Sequence, residues 1–217
     1  YHRFKDEFNV EILDGTGSTE ICHIFLSNFF GDARPGSTGK VVPGYEARLV
    51  DEDGNPTKTG ETGHLFIKGG SIASAYWNLR EETKDNMLGE WFVTGDRYRV
   101  DEDGYYYFKG RSDDMLRVGG KWLSPVEVEG AINAHPAVQE SAVVGSQDED
   151  ALIKPYAFVV LEPGQSVSGA LEEEIKEFVK ERIALYKYPR WIDFATELPK
   201  TSGGKLKRFI LQEKLNA

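Results

Sequence analysis

The sequence has a single cysteine, Cys22, in 217 residues, so no internal disulfide can form and a reducing, cytoplasmic setting is the expectation. Long apolar runs are missing too. None approaches the ~20 residues of a membrane span, and Tyr1-His2-Arg3-Phe4 does not open a signal-peptide hydrophobic region. No Asn-x-Ser/Thr glycosylation acceptor occurs. Positive charge is in deficit: 26 Lys and Arg against 36 Asp and Glu leave a net −10, with the basic residues dispersed, which argues against nucleic acid as a main partner. The chain also lacks an initiating Met, and 217 residues are expected to be part of something longer. What is present is enough for a core. Hydrophobic residues make up 40% and aromatic residues 12%, which excludes disorder and the collagen, coiled-coil and mucin compositions. The length suits one large or two small domains.

The first half reads as strands. Val41–Asp51, Gly63–Lys68, Trp91–Val100 and Tyr105–Lys109 are short runs of β-branched and aromatic residues. One word appears twice between them, Asp51-Glu52-Asp53-Gly54 and Asp101-Glu102-Asp103-Gly104. The Asp-Gly pair supplies the positive φ of a hairpin turn. A calcium loop fails at its obligatory glycine, where Pro56 and Tyr106 stand instead.

The second half alternates. Ser124-Pro125-Val126-Glu127 is a capping box with proline at the first helical position and predicts a helix from about Pro125 to His135. Strands follow at Val138–Gly145 and Pro155–Leu161. Ser168 caps a second helix whose apolar stripe, Leu171, Ile175, Phe178, Val179 and Ile183, runs on until Pro189 stops it. A strand at Trp191–Ala195 and a helix over Leu206–Leu215 complete the chain. This is the pattern of a compact α+β unit with helices on a small sheet. The domain boundary is expected near Arg111–Asp114, with similar charge on either side: 13 basic and 19 acidic groups in 1–112, 13 and 17 in 113–217.

Four stretches are candidates for chemistry. Asp14-Gly15-Thr16-Gly17-Ser18-Thr19-Glu20 is a small-residue turn in which Thr19 suits a phosphate oxygen and Glu20 a hard cation; a plain turn is the alternative. It is not a P-loop, because no Gly-Lys-Ser/Thr follows. Thr94-Gly95-Asp96 places an aspartate at a strand end, suited to a ribose diol or simply to solvent. Gly110-Arg111-Ser112-Asp113-Asp114, followed by Gly119-Gly120, reads as a joint with a close backbone approach, or as a linker and a turn. Pro199-Lys200-Thr201-Ser202-Gly203-Gly204-Lys205 carries a lysine on a flexible glycine loop, either a mobile charge for a phosphate or part of a solvated basic face.

Taken in order over Asp14 to Arg208, these four stretches resemble the adenylate-forming superfamily of acyl-CoA synthetases, peptide-synthetase adenylation domains and luciferases. The run Gly17-Ser18-Thr19-Glu20-x-x-His23-Ile24-Phe25-Leu26-Ser27-Asn28 is similar to benzoate-CoA ligases. The resemblance implies a β-rich, barrel-like end of a large AMP-binding domain over 1–112, with the β-rich part from about residue 35. A small α+β lid domain over 113–217 and a hinge at Asp113 would follow. It implies activation of an aromatic carboxylate with Mg-ATP and transfer to coenzyme A. Asp14 and Gly15 would line the adenine and Thr19 would meet phosphate. Glu20 would bind Mg²⁺, and Asp96 and Arg111 would hold the ribose. His23 would lie near the acid's carboxylate, a core histidine being its alternative. Gly119 and Gly120 would border the coenzyme's pantetheine, and Lys205 would serve adenylation.

Some features depart from the family pattern. Ala75 stands where relatives usually carry glycine, and Trp122 where some carry a basic residue, so no coenzyme contact transfers to Trp122. The family's Ser/Thr/Gly-rich phosphate loop has no counterpart, and much of the acid pocket would belong to the same upstream part. The 217-residue chain alone is therefore expected to show no ligase turnover. A medium-chain or other acyl-CoA synthetase, and a catalytically silent nucleotide-binding module, are the alternatives.

Overall fold

A computed structural model describes residues 1–216 and forms two compact units, Tyr1–Ser112 and Asp113–Ala217. Among the described residues no helix is long and apolar enough to cross a membrane.

The first unit opens with helix α1 (His2–Phe8) and strands β1 (Gly15–Gly17), β2 (Ile24–Ser27) and β3 (Lys40–Val41), which form an antiparallel sheet in that order. Strands β4 (Tyr45–Val50) and β5 (Thr62–Gly69), helix α2 (Arg80–Asn86), and strands β6 (Met87–Leu88), β7 (Trp91–Val100) and β8 (Tyr106–Arg111) follow. β7 organises the five-stranded sheet: β5 lies along it, β6 pairs with its first residues and β8 with its second half. Alternation along β5 turns Leu65 and Ile67 inward, where they meet Phe25, Leu49 and Phe92 in the core. Each such buried side chain contributes ~1.5–3 kcal/mol.

Both repeated acidic words form the same turn. Asp51 Oδ1 accepts from the Asp53 and Asn55 amides at 3.0 and 2.9 Å, and Asp101 Oδ1 accepts from Asp103 and Tyr105 at the same distances. Gly54 and Gly104 both take φ +82°. A third copy was not legible as such. In Asp148-Glu149-Asp150-Ala151 the Asp148 carboxylate accepts from Asp150 and Leu152, and Ala151 holds the left-handed conformation at φ +57°.

In the second unit the hairpin β9 (Leu116–Val118) and β10 (Lys121–Leu123) leads into α3 (Pro125–Asn133). Ser124 Oγ accepts from the Glu127 amide, as the capping motif predicts. Strands β11 (Val138–Gln147), β12 (Ile153–Leu161) and β13 (Trp191–Phe194) form one sheet, antiparallel then parallel, with α4 (Gly169–Lys180) crossing over between β12 and β13. Both faces of this sheet are covered. Val143, Ala157 and Val159 pack with α3 and α4, while Ala142, Val144, Phe158 and Val160 pack with Leu198 and with Leu211 of α5 (Arg208–Asn216). This is why β11 and β12 are continuous apolar runs rather than alternating ones.

Two expectations need correction. α4 stops at Lys180, well short of Pro189: Ala184 turns to ψ 138°, and a short 3₁₀ turn occupies Leu185–Lys187. Ile183 still packs on the core from outside the helix, so the apolar stripe outlasts the hydrogen bonding. Gly15–Gly17 is a strand rather than a turn, and the turn falls at Thr19–Cys22. The short polar helices α1 and α2 have no buried residue and therefore no apolar period to reveal them.

Candidate functional site

In the first unit, strand pairing builds the site. Asp96 on β7 and Arg111 on β8 are cross-strand partners, and Arg111 Nη1 donates to Asp96 Oδ1 at 3.1 Å and to the Thr94 carbonyl at 2.9 Å. Between them Gly95 takes φ +75°, and a Cβ there would come within 2.7 Å of Arg111 Nη2. Glycine is thus required twice, for the backbone angle and for the space the guanidinium occupies. Thr94 Oγ1 donates to the Leu65 carbonyl and accepts from the Asp96 amide, so the strand end is locked.

The same neighbourhood receives Glu20. It sits in the 3₁₀ turn Thr19–Ile21, with its carbonyl accepting from Ala73 and its Oε1 from the Tyr76 hydroxyl at 2.9 Å. Burial and the Glu20 carboxylate push the Tyr76 phenol up to about 12, and the positive field of Arg111 works against them. Arg111 therefore lies within electrostatic reach of the Tyr76 phenol that donates to Glu20. Asp14 acts nearby. Tyr98 is buried and pushed up to about 12 chiefly by that burial, with Asp96 and Asp14 adding to the effect and the Thr38 and Thr16 hydroxyls opposing it. Among the described residues no three potential metal ligands gather. Glu20 offers a single carboxylate, an oxygen donor of the kind a hard divalent cation takes.

Gly15 and Gly17 serve close strand packing. A Cβ on Gly17 would fall 2.5 Å from the His23 carbonyl, and one on Gly15 2.9 Å from that of Leu26. Thr19 is exposed. His23 is exposed as well, with Nδ1 3.1 Å from the Ile24 carbonyl, so the core alternative for this histidine falls.

In the second unit Asp113 is exposed and opens the chain segment. Gly119 and Gly120, at φ +55° and +79°, are the two-residue turn joining β9 to β10. A Cβ on either would meet nothing within 4 Å, so handedness rather than crowding within this unit selects glycine. Trp122 follows on β10, 44% exposed, with the Arg117 guanidinium 5.9 Å from its ring.

Lys205 ends a hydrogen-bonded turn in the glycine loop. Thr201 closes the turn: its amide donates to the Lys205 carbonyl at 2.8 Å, its carbonyl accepts from Gly204 at 2.9 Å, and its Oγ1 accepts from the Lys205 amide at 3.1 Å. Lys200 and Leu206 then pair as an antiparallel bridge. The Lys205 side chain is exposed, and among the described residues no carboxylate pairs with its ammonium.

Sequence reasoning missed what holds this turn in place. Three residues on, Arg208 Nη2 spans both oxygens of Glu129 at 2.8 and 2.7 Å, and its Nη1 donates to Asp114 at 3.2 Å. Glu129 Oε1 also accepts from the Val143 amide at 2.8 Å. The available signal was a glutamate on the apolar face of α3, beside Val128 and Ile132. A charge buried there needs a partner. Tyr76 lies 56 residues from Glu20 and left no local signal.

Comparison with known proteins agrees along the whole chain. Residues 1–77 match the AMP-binding enzyme family, and residues 127–205 match the AMP-binding enzyme C-terminal domain. The chain is 54% identical over 211 residues to a benzoate–CoA ligase of Thauera aromatica, covering 97% of this chain and 40% of that protein. The solved structure of the anthranilate CoA ligase AuaEII in complex with anthranoyl-AMP superimposes with a TM-score of 0.93 at 51% identity, over 99% of this chain and 42% of that one. A benzoate CoA ligase from Burkholderia xenovorans LB400 superimposes with a TM-score of 0.90 at 52% identity, over 97% and 42%. The chain thus spans about 40% of the length of the curated relatives it matches.

Proposed function

Because the chain belongs to the AMP-binding, adenylate-forming enzymes, we propose that it is the C-terminal portion of an AMP-forming acid–thiol ligase for an aromatic carboxylate, with benzoate as the preferred acid. The observation that carries this is the locked Asp96–Arg111 pair, a carboxylate held at a strand end with the hydrogen-bonding chemistry a ribose diol needs. The names of the relatives supply the aryl acid.

The reaction has two halves. The acid's carboxylate attacks the α-phosphorus of ATP, an acyl–O–P bond forms, and pyrophosphate leaves. The coenzyme A thiol, losing its proton, then attacks the acyl carbon, and AMP leaves with the electrons of the broken C–O bond. Asp96 accepts from the ribose hydroxyls and Arg111 braces it. Asp14 and Gly15 border the adenine, and Thr19 donates to a phosphate oxygen. Glu20 would hold Mg²⁺, which neutralises phosphate charge. Lys205 brings its ammonium to the oxygens that crowd together at the α-phosphate, where a preorganised donor counts most. Its hydrogen-bonded turn and exposed ammonium, unpaired among the described residues, suit delivery of that charge from the lid.

The first unit is the end of the AMP-binding domain and the second is the lid, with the joint at Asp113. His23 neighbours the acid. Gly119 and Gly120 offer a side-chain-free edge to the pantetheine arm. The lone, exposed Cys22 accords with a cytoplasmic protein. Substrate-dependent pyrophosphate exchange by the full-length protein tests the reading. Exchange with benzoate well above that with acetate or a fatty acid is expected. Exchange with an alkyl acid and none with benzoate would overturn the aryl assignment, and exchange with no acid at all would overturn the ligase.

A further inference from the structure

The first of the repeated acidic turns has a partner that the turn alone does not explain. Glu52, at its tip, accepts from Arg97 Nη1 at 2.6 Å through Oε1, while its Oε2 lies 3.1 Å from His64 Nε2. His64 Nδ1 lies 3.0 Å from the Ser112 hydroxyl. Ser112 in turn donates its amide to the Gly95 carbonyl at 2.8 Å. Four residues from four places in the chain thus form one line that ends beside Arg111. Strand pairing supports it, since His64 on β5 is the register partner of Arg97 on β7. Arg97 is almost fully buried, and His64 keeps 22% of its side-chain exposure. The Asp51 carboxylate fixes the turn that carries Glu52.

His64 Nε2 faces both Glu52 Oε2 and, at 3.5 Å, Arg97 Nη1, while Nδ1 faces the Ser112 hydroxyl. The hydroxyl can donate or accept, so the link to Ser112 stands with either tautomer of the ring.

We propose that His64 and Glu52 are positioning residues for nucleotide binding: they clamp Ser112, and through it hold Arg111 in register against Asp96 at the last residue before the joint. Arg111 is half exposed, at 46%, and its Nη1 donates to the Thr94 carbonyl and to Asp96 Oδ1. Pinning the residue that follows fixes the backbone from which the guanidinium reaches Asp96. This inference rests on the proposed nucleotide role of Asp96 and Arg111.

The test uses the full-length ligase and separates the two ideas. His64→Leu removes both hydrogen bonds, and Ser112→Ala removes the far end of the line on a partly exposed segment that tolerates truncation. Each is expected to raise the KM for ATP ~3–10-fold, the worth of one hydrogen bond, while kcat and the KM for benzoate stay within about twofold. The double variant should be no worse than His64→Leu alone. His64→Gln, which keeps a donor and an acceptor, should recover most of the loss. An unchanged ATP KM in both His64→Leu and Ser112→Ala, or an equal rise in the benzoate KM, would overturn the proposal. Asp96→Asn serves as the reference: if it raises the ATP KM and the other two do not, the brace alone is wrong. If Asp96→Asn leaves the ATP KM unchanged, the nucleotide reading has failed and the brace fails with it.

Discussion

The two units present their candidate groups in opposite ways. In the first, Asp96, Arg111 and Glu20 are set into paired strands and a 3₁₀ turn, and each is held by hydrogen bonds to its neighbours. In the second, Gly119-Gly120 and Lys205 stand on exposed turns, and order comes from beneath, through the Arg208–Glu129 ion pair and the two covered faces of the sheet. The contrast separates two demands. A group that must be ready before its ligand arrives is built into the ladder. On the proposed reading, a group that must be delivered stands on an ordered turn with its charge exposed.

That contrast can be broken from either side. The largest effect is expected in the second unit. Glu129→Ala removes the bidentate partner of the partly buried Arg208, leaving it Asp114, and should cost about 1.5–3 kcal/mol, read as earlier urea unfolding at Trp122 and Trp191 with the first unit's transition unmoved. An equal shift in both units would mean that the ion pair is not a local support.

Gly95→Ala tests the ladder. The φ of +75° costs alanine ~1–2 kcal/mol, and the added methyl must displace the Arg111 guanidinium. A full-length Gly95→Ala protein should lose ATP affinity as well as stability, whereas a purely conformational penalty would lower stability alone.

Acid should separate the units without mutation. In the first, the Gly31 amide and Lys5 hold Glu11 below its usual value, Lys40 and Tyr105 do so for Asp32, and Arg97 does so for Glu52. Asp101 is also lowered. There burial pulls upward, and the Tyr105 amide, the Tyr107 hydroxyl and Arg34 outweigh it. In the second unit Asp148, lowered by the Leu152 amide, is the counterpart. A carboxylate lowered by folding keeps its contribution above its unfolded pKa and loses it as the pH falls through the folded one. Between about pH 5 and pH 3, amide NMR peaks of the first unit should lose dispersion before those of the second. The reverse order would contradict the assignment.

The smallest effect compares the turns themselves. Ala151→Gly puts glycine where the two sister turns already have it and should stabilise the second unit by ~0.5–1 kcal/mol. No gain in thermal midpoint would mean that the third turn is relaxed as it stands.

What could be read from sequence follows the range of the interactions. Ser124 and Ser168 announced their helices because caps are local, and both accept the expected amides. In the first unit β4, β5, β7 and β8 were legible to within a few residues, whereas the short strands β1, β2, β3 and β6 were not. Helix α4 was overrun because its apolar stripe continues to Ile183 after the helix ends, and sequence shows the stripe only. Among the candidate groups, Asp96, Arg111 and Glu20 in the first unit and Lys205 in the second stood out through their neighbours in the chain. Their supports did not. Tyr76 reaches Glu20 across 56 residues, Arg208 reaches Glu129 across 79, and His64 reaches Ser112 across 48. Such pairs exist only once the sheets have formed.

The most direct test of the account is the two half-reactions of the full-length Lys205→Ala protein. Loss of a donor aimed at the transition state should slow benzoyl-adenylate formation ~10²–10³-fold, while transfer from supplied benzoyl-adenylate to coenzyme A stays within a few fold. Equal losses in both halves, or none in the first, would contradict it.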